Sequence, residues 1–398
     1  MHTIDVFSRI SEVRREEWDR LMRTNVFATH GWLRTVEATF IGDVRPFYVL
    51  VRENGKVAGA TVCYIFRKTG TVLDLDDLLL GRVKPLALWL GISFMPTMVC
   101  GTLWGCGDHL AVEPGADPER RQVVMNKLLD VVEGEANRNR LPLSLLFVLE
   151  GDLELATVLD RRGYTCSRHV PMTLLDVRWP SFPEYAKHLD DISRNGRRNL
   201  LNQINRNRKG GTTISVLEDV GKHSKRLHEL LTMNYHKHRN MPFCFSEDFF
   251  PELKHNLGRD ALLHVSCKGG LMTGVAVELR HNGTSHVPMV GIDHEKCGND
   301  MTYFNVTYYA PIAHAISSGV NRLYFGTGQY LLKMRRGCNT TDLFIWHKSR
   351  SRVAHYMARL WLAVLSSWNK YKLPRRTRLP AVVEGSENPL ELQYGRLK

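Results

Sequence analysis

Residues 302–337 read TYFNVTYYAPIAHAISSGVNRLYFGTGQYLLKMRRG, and this stretch decides how the second half of the chain folds. It begins with the apolar spacing of a helix that ends before Gly319, and residues 322–325 then have the composition of a strand. A glycine pair, Lys333 and Arg336 follow that strand. Ligands bind beyond the carboxyl ends of strands in open α/β sheets. We therefore predict a catalytic site here, where the two cations hold an anion or stabilise the oxyanion of an acyl transfer.

The predicted helix carries more polar and aromatic side chains than a buried helix needs. Tyr303, Asn305, Tyr308 and Tyr309 fall in its first half. We predict that these four residues bind substrate. The alternative for the cations that follow is that they are ordinary surface charges after a turn.

Helices and strands alternate in mixed order along the whole chain, which indicates an α/β (α+β) layered fold. Both halves show a helix pair, antiparallel strands, a helix and a strand, so we predict two similar lobes packed side by side with a site in the cleft between them. The predicted divisions are residues 1–179 for the first lobe, residues 180–350 for the second lobe with the active site, and residues 351–398 for a C-terminal helix and basic tail.

The positive charge is concentrated in two segments. The 398 residues carry a formal net charge of +13, of which residues 192–210 contribute +6 and residues 333–378 contribute +11, leaving −4 elsewhere. Localised charge of this kind favours a specific anionic partner, although solvated basic helix faces are the alternative. Nucleic acid, a nucleotide-bearing substrate and an anionic membrane surface are the candidate partners. The contacts predicted for RNA are Arg194, Arg197, Arg198, Arg206, Arg208, Lys209, Arg335, Lys348, Arg350 and Arg352.

Targeting and membrane segments are not expected. The N-terminus has no apolar signal region, and the longest apolar stretch, residues 85–100, is interrupted by Gly91 and Pro96. It is shorter than a spanning helix, so we predict a buried segment, with a membrane contact as the alternative, and no stable membrane insertion. The eight cysteines include no CxxC pair, which favours a cytoplasmic protein with reduced thiols.

Metal and phosphate-loop motifs are weak. His236 and His238 form an HxH pair without the carboxylate or cysteine spacing of a metal site, so no metal is predicted. Residues 102–107 place Gly105 and Gly107 as in the coenzyme A turn of GNAT acetyltransferases, but Thr102 replaces the usual Gln or Arg. An ordinary turn is the alternative.

Three segments together resemble a known family. Phe27, Trp32 and Leu33 open the pattern in the first half. The second half continues it with Phe182, Tyr185, Leu189, Arg194, Arg197, Arg198, Gly211 and Ile214. The longest block contains Tyr303, Phe304, Asn305, Tyr308, Tyr309, Ile312, Ala315, Ile316, Gly319, Phe325, Gly326, Gly328, Lys333, Arg336 and Gly337. This order resembles the Fem-like (FemABX-type) acyltransferases, the peptidoglycan aminoacyl-transferase relatives in the GNAT superfamily.

The resemblance implies two GNAT-like lobes and transfer of an acyl group to an amine. The donor would be a co-substrate rather than a bound cofactor: aminoacyl-tRNA, or alternatively acyl-coenzyme A. The acceptor would be a small-molecule amine or a cell-wall precursor, and Lys333 would match the family's lysine near the acyl donor. Because tRNA presents many more phosphates than coenzyme A, the two basic segments favour tRNA.

Two departures from the family pattern leave the general base open. Asn305 stands where several relatives have Glu, and Leu331-Leu332 replace a Glu-His pair. An amide has no ionisable carboxylate, so either the amine arrives neutral, substrate groups assist, or another residue such as Asp293 or Glu295 serves. Asp293 is also a predicted substrate contact. The departures also leave open a noncatalytic nucleic-acid or membrane-surface binder on a decayed transferase fold.

Overall fold

Two mixed β-sheets organise the chain in the computed structural model, which describes residues 2–67, 74–239 and 243–372. The strands are β1 (His2–Phe7), β2 (Val44–Glu53), β3 (Lys56–Phe66), β4 (Thr97–Cys100), β5 (Ala111–Val112), β6 (Leu143–Leu149), β7 (Thr165–Arg168), β8 (Met172–Asp176), β9 (Thr212–Val216), β10 (Ala261–Lys268), β11 (Leu271–His281), β12 (Thr284–Ile292), β13 (Arg322–Gly326), β14 (Asn339–Thr341) and β15 (Leu343–Lys348).

The helices cover the faces of these sheets. They are α1 (Arg15–Asp19), α2 (His30–Thr39), α3 (Leu75–Leu80), α4 (Lys84–Trp89), α5 (Pro118–Arg138), α6 (Leu153–Arg161), α7 (Phe182–Ile192), α8 (Gly196–Lys209), α9 (Ser224–Arg239), α10 (Phe249–Leu257), α11 (His294–Cys297), α12 (Thr302–Phe304), α13 (Ala310–Ser317), α14 (Tyr330–Met334) and α15 (Arg352–Lys372). A π-helical segment, Asn305–Tyr309, joins α12 to α13.

Each sheet contains one parallel pair among antiparallel neighbours. The first sheet has the order β1-β2-β3-β4-β6-β15-β7, with β5 beside β3, and its parallel pair is β4 with β6. The second has the order β14-β8-β13-β12-β11-β10-β9, and its parallel pair is β12 with β13. These two mixed sheets confirm the predicted α/β fold class.

The two sheets exchange a strand. β8, which precedes residue 179, pairs with β13 and β14 of the second sheet. β15, which comes near the end of the chain, pairs with β6 and β7 of the first sheet. The chain therefore crosses between the sheets twice, and a boundary placed at one sequence position does not separate them.

The core also joins the two halves. Trp32 of α2 packs edge-to-face against Phe245 and Phe249, which belong to the second half. Gly31 allows this approach, because a Cβ at that position would lie 2.7 Å from the carbonyl oxygen of Asn256. The close crossing of α2 and α10 fixes the lobes against each other around the cleft between them.

Residues 85–100 divide into two parts with different exposure. β4 is fully buried, as predicted for this segment. The prediction was wrong for the first part, because α4 and the turn after it expose Leu86, Trp89 and Ile92. Hydrophobicity alone does not distinguish a core segment from an apolar surface, so the sequence could not separate them.

Candidate active site

The parallel strands of the second sheet separate where the site begins. β12 pairs with β13 only from Thr284 to His286, opposite Arg322 to Tyr324, and then continues to Ile292 paired with β11 on its other side. Two cavities open beside the separating ends. One cavity, of about 670 Å³, is lined by both halves of the chain, and we call it the interlobe cleft. The other, of about 680 Å³, lies between α8, the helix from Thr302, and α14, and we name it the donor pocket for the role that we propose for it.

Arg336 is the central cation of the donor pocket. It is 5% exposed, and its Nη1 donates to the carbonyl oxygen of Leu332 at 2.7 Å. The guanidinium carbon lies 4.6 Å from the ring centre of Phe304 and 4.7 Å from that of Tyr308. Its Nε is buried without a hydrogen-bond partner in the described structure. The aromatic rings stabilise the cation without neutralising its charge.

Gln203 on α8 connects this arginine to the aromatic helix, by which we mean α12, the π-helical segment and α13 together. Its Oε1 accepts hydrogen bonds from Arg336 Nη2 at 3.1 Å and from the Tyr309 hydroxyl at 2.5 Å. Its backbone carbonyl accepts from the amide nitrogen of Asn305 at 3.2 Å. The sequence prediction missed Gln203, because a glutamine in a basic, Asn-rich helix has no spacing that distinguishes it.

The predicted substrate residues on and beside the π-helical segment do not all line the donor pocket. Tyr303 and Tyr309 line the donor pocket, while Tyr308 is buried beneath the Arg336 guanidinium. Asn305 lies behind the pocket, and its amide nitrogen also donates to the carbonyl of Met301 at 2.9 Å. Asn305 therefore joins α8 to this helix, and its side chain does not line the pocket.

Lys333 is oriented away from the donor pocket. Its ammonium donates to the carbonyl oxygens of Phe325 at 2.7 Å, Gly326 at 3.2 Å and Thr327 at 3.4 Å. Burial lowers its pKa to about 8. An ammonium has three N–H donors, so this arrangement leaves none for a substrate oxyanion. Lys333 instead fixes the turn that borders the interlobe cleft.

No carboxylate compensates these two buried cations in the part of the chain that the structure describes. The ion pairs there include neither Lys333 nor Arg336. The nearby Cys338 does not serve as a counter-ion, because burial raises the pKa of its thiol to about 12 and keeps it neutral. A buried cation without a counter-ion is costly, so the pocket favours an anionic or strongly dipolar ligand.

The two candidate bases before the helix are both unsuited to that role. Burial alone would raise the pKa of Asp293, but its 2.6 Å ion pair with Arg226 and the N–H of Lys296 lower it instead. A carboxylate held in its ionised form by an arginine is a weak base. Glu295 is exposed on the surface. Neither residue lines the donor pocket.

Asp300 occupies the start of the aromatic helix. Its Oδ1 accepts from the N–H of Thr302 at 3.0 Å, and its Oδ2 accepts from the hydroxyl of Thr212 at 2.7 Å. A helix N-terminus normally attracts phosphate. Here a buried carboxylate, paired with Lys268 at 3.5 Å, already takes that position.

The interlobe cleft contains neutral histidines. Burial lowers the pKa of His286 to about 3 and that of His169 to about 4. The His286 ring stacks on Tyr324 at 4.6 Å where β12 and β13 separate, and its Nε2 has no hydrogen-bond partner in the described residues. His286 thus contributes a neutral ring to the cleft wall, while its Nε2 atom itself is buried. The sequence offered no signal to distinguish this histidine from the other sixteen.

The Gly105 turn borders the cleft but is closed by packing. A Cβ at Gly105 would lie 2.3 Å from Phe27, and the amide of Asn25 donates to the carbonyl of Gly107 at 2.9 Å. The two glycines therefore allow this turn to pack closely against Asn25–Phe27. This is the ordinary-turn alternative, and it removes the one sequence feature that favoured coenzyme A.

The predicted RNA contacts divide between two surfaces. The side chains on and before α8 are all exposed, and Arg335 lines the rim of the donor pocket: Arg194, Arg197, Arg198, Arg206, Arg208, Lys209 and Arg335. Lys348 pairs with Glu133 at 3.2 Å beside the first sheet. Arg350 lines a separate groove beside α15, and Arg352 is exposed at the start of that helix. The described cations of residues 333–378 are thus continuous in sequence but do not form one surface.

One group of residues has the composition of a metal site. Ligating atoms of His264, Glu278 and His314 all lie within 4.8 Å of one another. Glu278 Oε2 is 2.5 Å from His264 Nε2, a hydrogen-bond distance that is too short for two ligands of one ion. Ser285 donates to the other carboxylate oxygen at 2.6 Å. This group is a buried hydrogen-bond network, and the sequence prediction missed it.

The family follows from a match over most of the chain. Residues 9–367 match the FemAB-like family, described as peptidoglycan biosynthesis/recognition. The chain belongs to this FemAB-like family. The Fem-like resemblance of the sequence is thereby confirmed. A comparison with curated proteins finds no match.

Solved structures share the fold of this FemAB-like protein at low identity. FemX is 10% identical, with 89% of this chain and 100% of FemX covered and a TM-score of 0.55. The C-terminal DUF2156 domain of a putative lysylphosphatidylglycerol synthetase from Agrobacterium fabrum is 12% identical, with 89% and 97% covered and a TM-score of 0.53. A conserved protein of unknown function from Bacteroides thetaiotaomicron is 11% identical, with 87% and 99% covered and a TM-score of 0.54.

Within the described residues, no helix is both long enough and apolar enough to cross a bilayer.

Proposed function

We propose that this FemAB-like protein transfers an aminoacyl group from aminoacyl-tRNA to an amine and forms an amide bond. The observation that carries the proposal is the buried Arg336, which lines the donor pocket without a carboxylate partner in the described structure. A cation of this kind is stabilised when an anion or a developing oxyanion enters the pocket. The interlobe cleft, on the other side of the separating strands, would hold the amine acceptor.

The surface around the donor pocket supports a large polyanion. Gly196, Asn199 and Gln203 of α8 line the pocket, while Arg197 and Arg198 of the same helix are exposed. In this proposal the aminoacylated end of the tRNA enters the pocket and its phosphates follow the exposed arginines. Such contacts release counter-ions, so donor binding should weaken steeply as salt rises.

The chemistry needs alignment more than activation, because the donor is already an ester. The amine nitrogen attacks the ester carbonyl, a C–N bond forms, and the tetrahedral intermediate carries its charge on the former carbonyl oxygen. Arg336 stabilises that oxygen. The C–O bond to the tRNA ribose then breaks, and the proton lost by the amine passes to the departing ribose oxygen. Lys333 acts as a positioning residue that holds the Phe325–Thr327 turn.

Acyl-coenzyme A is the weaker donor in this proposal. The Asp300 carboxylate already occupies the N–H of Thr302 at the helix N-terminus, and the Gly105 turn is closed against Phe27. Only a few phosphates would face the many exposed cations of α8.

A donor competition assay tests the proposal. The full chain is incubated with a mixture of radiolabelled aminoacyl-tRNAs and candidate amines, and in parallel with acyl-coenzyme A and the same amines. We expect an amide product that disappears when the tRNA is first digested with ribonuclease. Product from acyl-coenzyme A alone would replace the proposal with the other donor. RNA binding without product from either donor would indicate a noncatalytic binder.

A further inference from the structure

Exposed apolar side chains are concentrated at one place on the first lobe. α4 and the turn after it present Leu86, Leu88, Trp89, Leu90 and Ile92 to solvent, and Trp89 is 80% exposed. Large apolar residues on a protein surface normally occur singly, and a cluster of them marks an interaction site.

The outer face of α15 continues this cluster. Val353, Met357, Leu360, Val364 and Trp368 recur every three or four residues, which places them along one side of the helix, and all are exposed. A neighbouring side of α15 is anchored to the protein by a different set. Ala358 and Leu362 are buried, and the Trp361 indole donates to the carbonyl of Leu79 at 2.9 Å. The outer side is therefore an apolar stripe on a firmly docked helix.

A groove of about 1170 Å³ joins the two elements. Leu86, Leu90 and Ile92 line one wall, and Met357, Leu360 and Val364 line the other. We call this groove, together with the exposed apolar residues of 86–92 and 353–368, the apolar patch.

The charged residues that line the groove are arginines, and the neighbouring acidic residues Asp74 and Asp77 are paired with Lys84 of α4. Arg140 and Arg350 line the groove, and Arg352 and Arg359 are exposed beside the stripe of α15. Residues 81–93 and 343–372 contain no Asp or Glu. The partner of this surface must therefore satisfy apolar and cationic groups together.

Charge excludes two simple occupants. A second copy of the chain docked on the same patch would bring the arginines of both copies together. Residues 373–398 also carry more Lys and Arg than Asp and Glu, so they do not complement the patch. An anionic partner with an apolar interior fits both features.

We propose that the apolar patch binds the surface of a bilayer that contains anionic phospholipid. Trp89, Trp368 and the leucines enter the boundary between headgroups and acyl chains, and Arg350, Arg352 and Arg359 contact lipid phosphates. The protein lies on the membrane rather than across it. This surface is distinct from the donor pocket, which none of these residues lines.

Vesicle flotation of the full chain tests the proposal without any acyl donor, so the result is independent of the proposed transferase activity. We expect flotation with vesicles of phosphatidylcholine and phosphatidylglycerol in equal parts, and little with phosphatidylcholine alone. Trp89→Ser should weaken binding roughly tenfold through lost apolar insertion. The matched control is Leu153→Ser, which replaces a side chain that is 71% exposed on α6 and should leave flotation unchanged.

The contribution of charge to vesicle binding is tested by replacing arginines with glutamate at two different surfaces. Arg352→Glu with Arg359→Glu should weaken flotation by at least about tenfold, while the same charge change at Arg197 and Arg198 of α8 should not. If the parent protein floats with neither type of vesicle, the proposal is overturned. Equal loss with both double variants would reduce it to a nonspecific effect of net charge. Self-association that Trp89→Ser abolishes, without flotation of the parent protein, would assign the patch to a second copy.

Discussion

The guanidinium of Arg336 and the side-chain carbonyl of Gln203 are joined by a 3.1 Å hydrogen bond, and the same oxygen accepts from Tyr309 at 2.5 Å. This contact connects the basic helix α8 to the segment after β13. It orients Arg336 with a neutral acceptor, so the charge stays available to a ligand. A carboxylate at the same position would hold the guanidinium equally well but neutralise it.

The first prediction uses the difference between a neutral and a negatively charged acceptor for Arg336. Gln203→Glu keeps an acceptor for both Arg336 and Tyr309 but adds a negative charge to the donor pocket. We expect the rate of aminoacyl transfer to fall about 100-fold while the free energy of unfolding does not decrease, because a buried cation gains a partner. Gln203→Leu is the companion variant: it should lower both quantities, since Tyr309 and Arg336 lose an acceptor. Unchanged transfer by Gln203→Glu would contradict an electrostatic role for Arg336.

The second prediction concerns Lys333 and pH. Burial lowers its pKa from 10.5 to about 8, so between these values the unfolded chain binds more protons at this residue than the folded chain does. Its contribution to the free energy of unfolding therefore rises with pH in this window. Urea unfolding at pH 8 and pH 10 should show a rise about 2 kcal/mol larger for the parent protein than for Lys333→Met. Equal rises would indicate that the ammonium is not buried as described.

The third prediction concerns the buried network of Glu278. Burial would raise the pKa of this carboxyl, but His264, His314 and Ser285 outweigh it and lower the pKa to about 2. The stability from this group is thus present above the unfolded pKa of about 4.5 and is lost as the pH falls towards 2. Glu278→Gln should reduce the acid dependence of the free energy of unfolding, whereas Glu247→Gln on the surface should leave it unchanged. The same acid dependence in both variants would contradict this assignment.

The fourth prediction tests the basic helix. Arg197→Glu with Arg198→Glu should weaken binding of aminoacyl-tRNA and lower the slope of log affinity against log salt by about 1.5, because two phosphate contacts are lost. Arg14→Glu with Arg138→Glu makes the same charge change at side chains that are 77% and 78% exposed elsewhere. That control should leave the slope unchanged. Equal slopes for the two double variants would show that α8 does not follow the tRNA backbone.

Local patterns in the sequence predicted the elements well. The Asn54-Gly55 pair, a sequence that favours a two-residue turn, connects β2 to β3 with positive φ at both residues. The helix from residue 302 and the strand from Arg322 also appear where their periodicity placed them. Turns, helices and strands of this kind depend on residues that are close together in the chain. A single sequence therefore contains the information needed to predict them.

Pairings between distant segments could not be predicted in the same way. The exchange of β8 and β15 between the sheets depends on contacts far apart in sequence. Lys333 illustrates the same limit within the site: its position was expected, but its three bonds to the Phe325–Thr327 carbonyls depend on a turn whose shape the sequence does not specify. Gln203 and His286 become candidate site residues only through their partners in space.

The central claim is that Arg336 makes the donor pocket a site for aminoacyl-tRNA. The most direct measurement is single-turnover transfer from radiolabelled aminoacyl-tRNA to an amine by the parent protein, by Arg336→Gln, and by Arg335→Gln at the exposed rim as the matched control. We predict ribonuclease-sensitive transfer that Arg336→Gln slows at least about 100-fold, the scale on which a preorganised oxyanion donor acts, and that Arg335→Gln slows far less. Equal rates for the parent protein and Arg336→Gln would contradict the account.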